Sequence, residues 1–161
     1  MSATLAFQIQ AQQQSEWCWA AVTSSIDHYF DNGSTWTQCG LANDQLGQGT
    51  CCNDGSSTSC NCPWYLERSL GRVNRLRAFL QAVAPFPGVQ QEINQKDPLG
   101  VRIGWAGGGG HFVVIFGYDD ATATDYVIVA DPIWGVTQLP YSALVSGYRG
   151  NGSWTHSYYT Q

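Results

Sequence analysis

The 161-residue chain sets 7 Lys and Arg against 12 Asp and Glu, for a net charge of −5, and its cations form no run. That balance makes nucleic acid and anionic membranes poor partners, and no apolar run reaches membrane-spanning length. A hydrophobic content of 43% with only 12% charged residues, 18 glycines and 7 tryptophans fits a compact, loop-rich domain and excludes disorder.

The N-terminal stretch MSATLAFQIQAQQQ shows neither a basic region nor a long apolar segment, so no secretion signal is visible. Residues 4–9 read as a short extended segment. The spacing of Ala20, Ala21, Val22, Ser25, Ile26, Tyr29 and Phe30 then predicts a core-facing helix that starts at Cys18, with Ser15 and Glu16 as its N-terminal signal. Asp31-Asn32-Gly33-Ser34 is turn chemistry and ends that helix. Thr37 caps a second short helix with Leu41, Ala42 and Leu46 on one face. A third opens with Pro63 in its first turn, its apolar side made by Tyr65, Leu66 and Leu70. Residues 72–84 are ambiguous, because Val73, Leu76, Phe79, Leu80 and Val83 fit a helix while Gly71 and the flanking prolines shorten it. One or two helical turns are expected over 88–96.

From Leu99 onward the period changes. Segments 101–105, 111–118, 126–131, 134–141 and 153–160 are rich in β-branched and aromatic residues and predict strands, with a helical turn over Tyr141–Val145. The expected class is α+β, a helical lobe against an antiparallel sheet lobe.

Five of the six cysteines, Cys39, Cys51, Cys52, Cys60 and Cys62, lie in one loop-like stretch. The absence of paired C-x-x-C units and of a histidine inside the cluster disfavours zinc and favours disulfides. At most two bridges form and one cysteine is left over; which one, and the pairing of the rest, stay open. Disulfides point to an oxidising, extracellular setting.

Cys18 stands apart, on a first helical turn where free N–H groups and the helix dipole favour a thiolate. An effective nucleophile needs a base. His28 lies too far along the same helix and His156 sits inside the last strand, whereas His111 opens an apolar strand directly after four glycines. Antiparallel pairing of 111–118 with 126–131 sets Tyr118 opposite Tyr126 and Val113 opposite Asp131. Asp131 is then the diagonal neighbour of His111 on the same face, and a register slip of one residue would separate them. Asp119, Asp120 and Asp125 fall at the turn end, where turn chemistry accounts for them. An oxyanion donor is available in the Cys18 N–H, and Gln12, Gln13 and Gln14 all qualify as a second.

Gln12 six residues before Cys18-Trp19, a distant Gly110-His111, and Asp131 ahead of Pro132 resemble the papain-like cysteine peptidases. The blocks QSEWCWAAV, GGGGHFVVIFGYD, YVIVADP and SWTHSYYT are similar to a bacterial branch related to a plant-pathogen effector protease. The resemblance implies Cys18 as nucleophile, His111 as base and acid, Asp131 as orienter and Gln12 as oxyanion donor, without cofactor or metal. It implies one domain over 1–161, with a helical lobe over about 10–98 and a sheet lobe over about 99–161 plus the N-terminal segment. Trp19, Gly109 and Gly110 are the expected substrate contacts, a protein or peptide is the expected substrate, and a monomer is expected. Asp131 departs from the Asn of papain itself, and Glu16-Trp17 replace its Gly-Ser. The competing expectations are cysteine-dependent acyl transfer, of the transglutaminase or deamidase kind, and a disulfide-stapled binding domain without catalysis.

Overall fold

Helix α1 (Cys18–Phe30) runs through the interior of the molecule, and the computed structural model describes all residues from 1 to 161 around it. Trp19 to Asp27 are all buried, so α1 is enclosed on every side rather than amphipathic. Small residues make this possible: Ala20, Ala21, Ser24 and Ser25 let neighbouring elements approach closely. The hydroxyls of Thr23 and Ser25 donate to the carbonyls of Trp19 and Ala21, at 2.8 and 2.6 Å, so their burial leaves no unpaired group. Buried Asp27 is held by the Arg75 guanidinium at 2.7 Å. Ser15 does not cap this helix. The N-cap is Trp17, without a side-chain bond, while Ser15 Oγ accepts from the Asn61 amide.

Helices α2 (Gln38–Leu46) and α3 (Leu66–Arg72) pack on α1, whereas α4 (Phe86–Asn94) and α5 (Tyr141–Ser146) pack on the sheet. Thr37 caps α2 through the Gly40 N–H, as its sequence predicts. Pro63 lies ahead of α3 instead of within it, and Tyr65 is its exposed N-cap, leaving Leu66 and Leu70 as the buried side.

The strands are β1 (Ser2–Thr4), β2 (Leu76–Leu80), β3 (Leu99–Trp105), β4 (Gly110–Asp119), β5 (Tyr126–Asp131), β6 (Gly135–Pro140) and β7 (Gly152–Thr160). They form one antiparallel sheet in the order β2-β7-β3-β4-β5-β6, with β1 pairing β4 beyond the end of β3. Strand β4 is apolar on both faces because α1 packs on it and α4 packs on it as well.

Strand β2 replaces the helix that the spacing of Leu76, Phe79, Leu80 and Val83 suggests. Asn74 adopts a left-handed backbone (φ 61°) directly after α3, which stops the helix from continuing. Pairing with β7 then recruits the short segment as an edge strand.

Two disulfides, Cys39–Cys52 and Cys51–Cys60, close the 47–62 loop on α2, and Cys62 is the cysteine left over. The stapled loop supports the start of α1. Trp17 and Trp19 donate their indole N–H groups to the carbonyls of Cys60 and Cys62, at 2.8 and 2.9 Å.

Candidate active site

The start of α1 meets the β4–β5 hairpin with Cys18 and His111 face to face. Cys18 is half-buried, and its thiol lies close enough to the His111 imidazole to help raise the ring's pKa. Nε2–H of His111 donates to Asp131 Oδ1 at 2.9 Å, which leaves Nδ1 for the thiol. His111 and Asp131 are both buried.

Their meeting depends on a bulge. At the turn end of the hairpin the register is Asp119 with Tyr126 and Tyr118 with Val127, one residue away from the Tyr118–Tyr126 pairing expected from the loop. Phe116 is an extra residue in β4, so that beyond it Ile115 faces Val129 and Val114 faces Ala130. The next step of that register is Val113 with Asp131, as the site requires. The carbonyl of Phe116 is not wasted: it accepts from Leu5 N–H at 2.8 Å.

Asp131 collects four donors. Besides His111, the N–H groups of Ile133 and Trp134 donate to Oδ1 at 2.8 and 3.2 Å, and the Tyr148 hydroxyl donates to Oδ2 at 2.6 Å. Burial pushes the carboxyl upward, but the His111 bond and charge and the Tyr148 bond outweigh it and hold Asp131 below the usual carboxylate range. Burial likewise pushes His111 downward; hydrogen bonds and charge from Asp131 and Cys18 overcome it and raise the imidazole to about 9. The imidazole therefore holds its proton at neutral pH. Trp105 stacks on one side of the ring, with centroids 6.0 Å apart, and Trp134 meets it edge-on at 5.6 Å. Both limit water access to the His111–Asp131 bond.

Tyr148 has no signal in the sequence, since it sits on a turn between α5 and β7, 17 residues after Asp131. Burial and the Asp131 carboxylate raise its phenol, so it is a permanent donor. Tyr148→Phe is expected to lower stability by about 1–3 kcal/mol, because Oδ2 loses its only protein partner in a buried place. Denaturant midpoints of the two proteins check this; equal midpoints would show that water replaces the hydroxyl.

Gln12 is joined to the site by its N–H, which donates to the Pro132 carbonyl at 3.0 Å. Its side-chain amide turns into its own loop, donating to the carbonyls of Gln14 and Ser15 at 3.0 and 2.8 Å, while Oε1 is buried without a partner. The Cys18 N–H, at the first helical position, bonds no protein group.

A cleft of about 660 Å³ opens beside the thiol, lined among others by Cys18, Trp19, Gly110 and His156. Trp19 has no exposed surface and forms the floor. Gly108 and Gly109 make the β3–β4 turn with φ of 100° and 83°, which accounts for two of the four glycines. At Gly110 a Cβ would stand 2.7 Å from the Arg102 guanidinium, so a larger residue there would displace that side chain. His28 is remote from the cleft, its ring bonded to the Ser24 carbonyl. No helix is long and apolar enough to cross a membrane.

The family model described as "Papain-like cysteine protease AvrRpt2" matches residues 1–142. Among solved structures, digestive procathepsin L 3 of Tenebrio molitor is similar over 99% of this chain and 69% of its own, at 13% identity and a TM-score of 0.63. The double glycine motif protease of an AMS/PCAT transporter, solved with a leader peptide, matches 99% of this chain and 95% of its own at 15% identity and a TM-score of 0.54. A structure from work on the mite allergens Blo t 1 and Der p 1 matches 96% of this chain and 67% of its own, with 11% identity and a TM-score of 0.59. At these identities the likeness is one of fold. No curated protein matches the chain.

Proposed function

The chain belongs to the AvrRpt2 family of papain-like cysteine proteases, and from that premise we propose how its residues divide the work of peptide hydrolysis. The Cys18 sulfur attacks the substrate carbonyl as a thiolate, with the proton of the pair kept on His111. The tetrahedral oxyanion takes the free N–H of Cys18. Gln12 is the second donor once substrate draws its amide away from Gln14 and Ser15. His111 passes its proton to the leaving amine, giving a thioester on Cys18 and a free amino terminus. Water then loses a proton to His111, attacks the thioester, and releases the acid and the thiol. Asp131 keeps the imidazole turned toward the sulfur throughout.

The single observation that carries this reading is the buried His111–Asp131 bond placed against the Cys18 thiol. A protein or peptide is the substrate class that family membership implies, and the leader peptide held by one structural neighbour supports an extended peptide in the cleft. One catalytic unit over 1–161, acting as a monomer, fits a site assembled entirely from this chain. The two disulfides support an extracellular setting.

Labelling separates a reactive Cys18 from an inert one. A thiol-directed epoxide is expected to add once per molecule, with peptide mapping placing the adduct on Cys18 and the other free thiol, Cys62, unmodified. Preferential labelling of Cys62 would sink the assignment.

A further inference from the structure

The cleft beside Cys18 carries two charges that the protein leaves unpaired. Glu67, in the first turn of α3, makes no ion pair or hydrogen bond, and its Oε2 is shut off from solvent. Arg102, on β3, lines the same cleft; its guanidinium bonds only Thr155 Oγ1, at 3.0 Å, and lies across Gly110. Both charges reach the same two rings. After burial, which acts first, Arg102 helps to lower His156 and Glu67 helps to raise Tyr158. Between them the walls are aromatic, with Phe79 stacked on Tyr158 and Phe112 edge-on to it.

Resting on the peptidase reading, we propose that this pocket binds a basic side chain of the substrate, Lys or Arg, close to the scissile bond. The alkyl stem lies between the rings of Phe79 and Phe112, and the terminal cation meets the Glu67 carboxylate. A half-desolvated carboxylate without a partner gains more from a cation than a hydrated one does, because that cation replaces no existing bond. The ring faces attract a cation as well, and their bodies suit a methylene chain. Arg102, in the same pocket, repels a cation and so confines its favourable position to the Glu67 carboxylate. An acidic side chain is drawn by Arg102 but meets both Glu67 and Glu16, and is disfavoured on balance. The net charge of −5 favours arrival of basic peptides over acidic ones.

The test is a peptide set in which each residue flanking the cleaved bond is in turn Lys, Arg, norleucine, Gln or Glu. At one position Lys or Arg is expected to exceed norleucine in kcat/KM by about tenfold or more. Glu67→Gln is expected to abolish that advantage, bringing the ratio of basic to norleucine kcat/KM down to about one. No preference for Lys or Arg at any position overturns the proposal, as does a variant that slows basic and norleucine peptides equally. Cleavage of norleucine peptides by the unaltered protein keeps the peptidase reading intact in either case. If no peptide is cleaved, that reading fails instead. The pocket is then decided by fluorescence anisotropy of a labelled Lys peptide on Cys18→Ala, with and without Glu67→Gln. Weaker binding with Glu67→Gln upholds it and equal binding overturns it.

Discussion

Cys18→Ala is expected to reduce peptide hydrolysis by at least about ten-thousandfold and to leave the fold in place. The loss follows from chemistry that no neighbour can take over. Cys62 is the other free thiol, and its Sγ donates to the Thr58 carbonyl, outside the reach of His111. The fold survives because Cys18 is a half-buried residue at the first position of α1, where alanine is a good helix former. The indoles of Trp17 and Trp19 hold the helix start through the Cys60 and Cys62 carbonyls whatever residue stands between them. Turnover of a quenched-fluorescence peptide, read beside the circular dichroism of both proteins, checks the two halves together. Appreciable turnover in the variant would remove Cys18 from the mechanism.

The second expected result is a loss of activity above about pH 9, with Asp131 setting where it falls. In the proposed mechanism the raised imidazole keeps its proton for the leaving amine until the pH passes that value. The same shift bears on stability. Protonation of His111 favours the folded state, so its contribution is fully present below about 6.5 and is lost as pH rises through about 9, amounting to roughly 3 kcal/mol at most. Asp131→Asn keeps an acceptor for Nε2–H but removes the charge, so burial regains the upper hand over the ring. The alkaline limb of kcat/KM is expected to move down by at least about one pH unit, and activity at neutral pH to fall by about tenfold or more. An alkaline limb that stays in place after Asp131→Asn would mean that another group titrates there.

Much of this was legible in the residues, and where it was not the cause is physical. The start of α1 at Cys18 follows from a spacing that any buried face must show. Its enclosure on all sides does not, because hydroxyls that bond back to their own helix look polar in a sequence and behave as small apolar groups in the core. The Val113–Asp131 step was expected from counting back from the loop, yet the true loop register differs by one and the Phe116 bulge restores it. Two local irregularities cancel there, and neither leaves a mark in a period-2 pattern. Tyr148 and the meeting of Glu67 and Arg102 in one cleft were invisible for a different reason: they come from elements joined only by sheet pairing and lobe packing. Residues 72–84 stay ambiguous in the sequence because apolar spacing alone cannot show that Asn74 turns left-handed and that β7 offers an unpaired edge.

The stapled loop gives the molecule opposed demands on its redox surroundings. As the proposed nucleophile Cys18 works only when reduced, while Cys39–Cys52 and Cys51–Cys60 brace the loop only when oxidised, and that loop holds the tryptophans on either side of Cys18. A reductant that rescues an oxidised nucleophile also threatens the brace that positions it. Working conditions are thus bounded on both sides, and the catalyst operates within a window of thiol–disulfide potential instead of improving steadily with reductant.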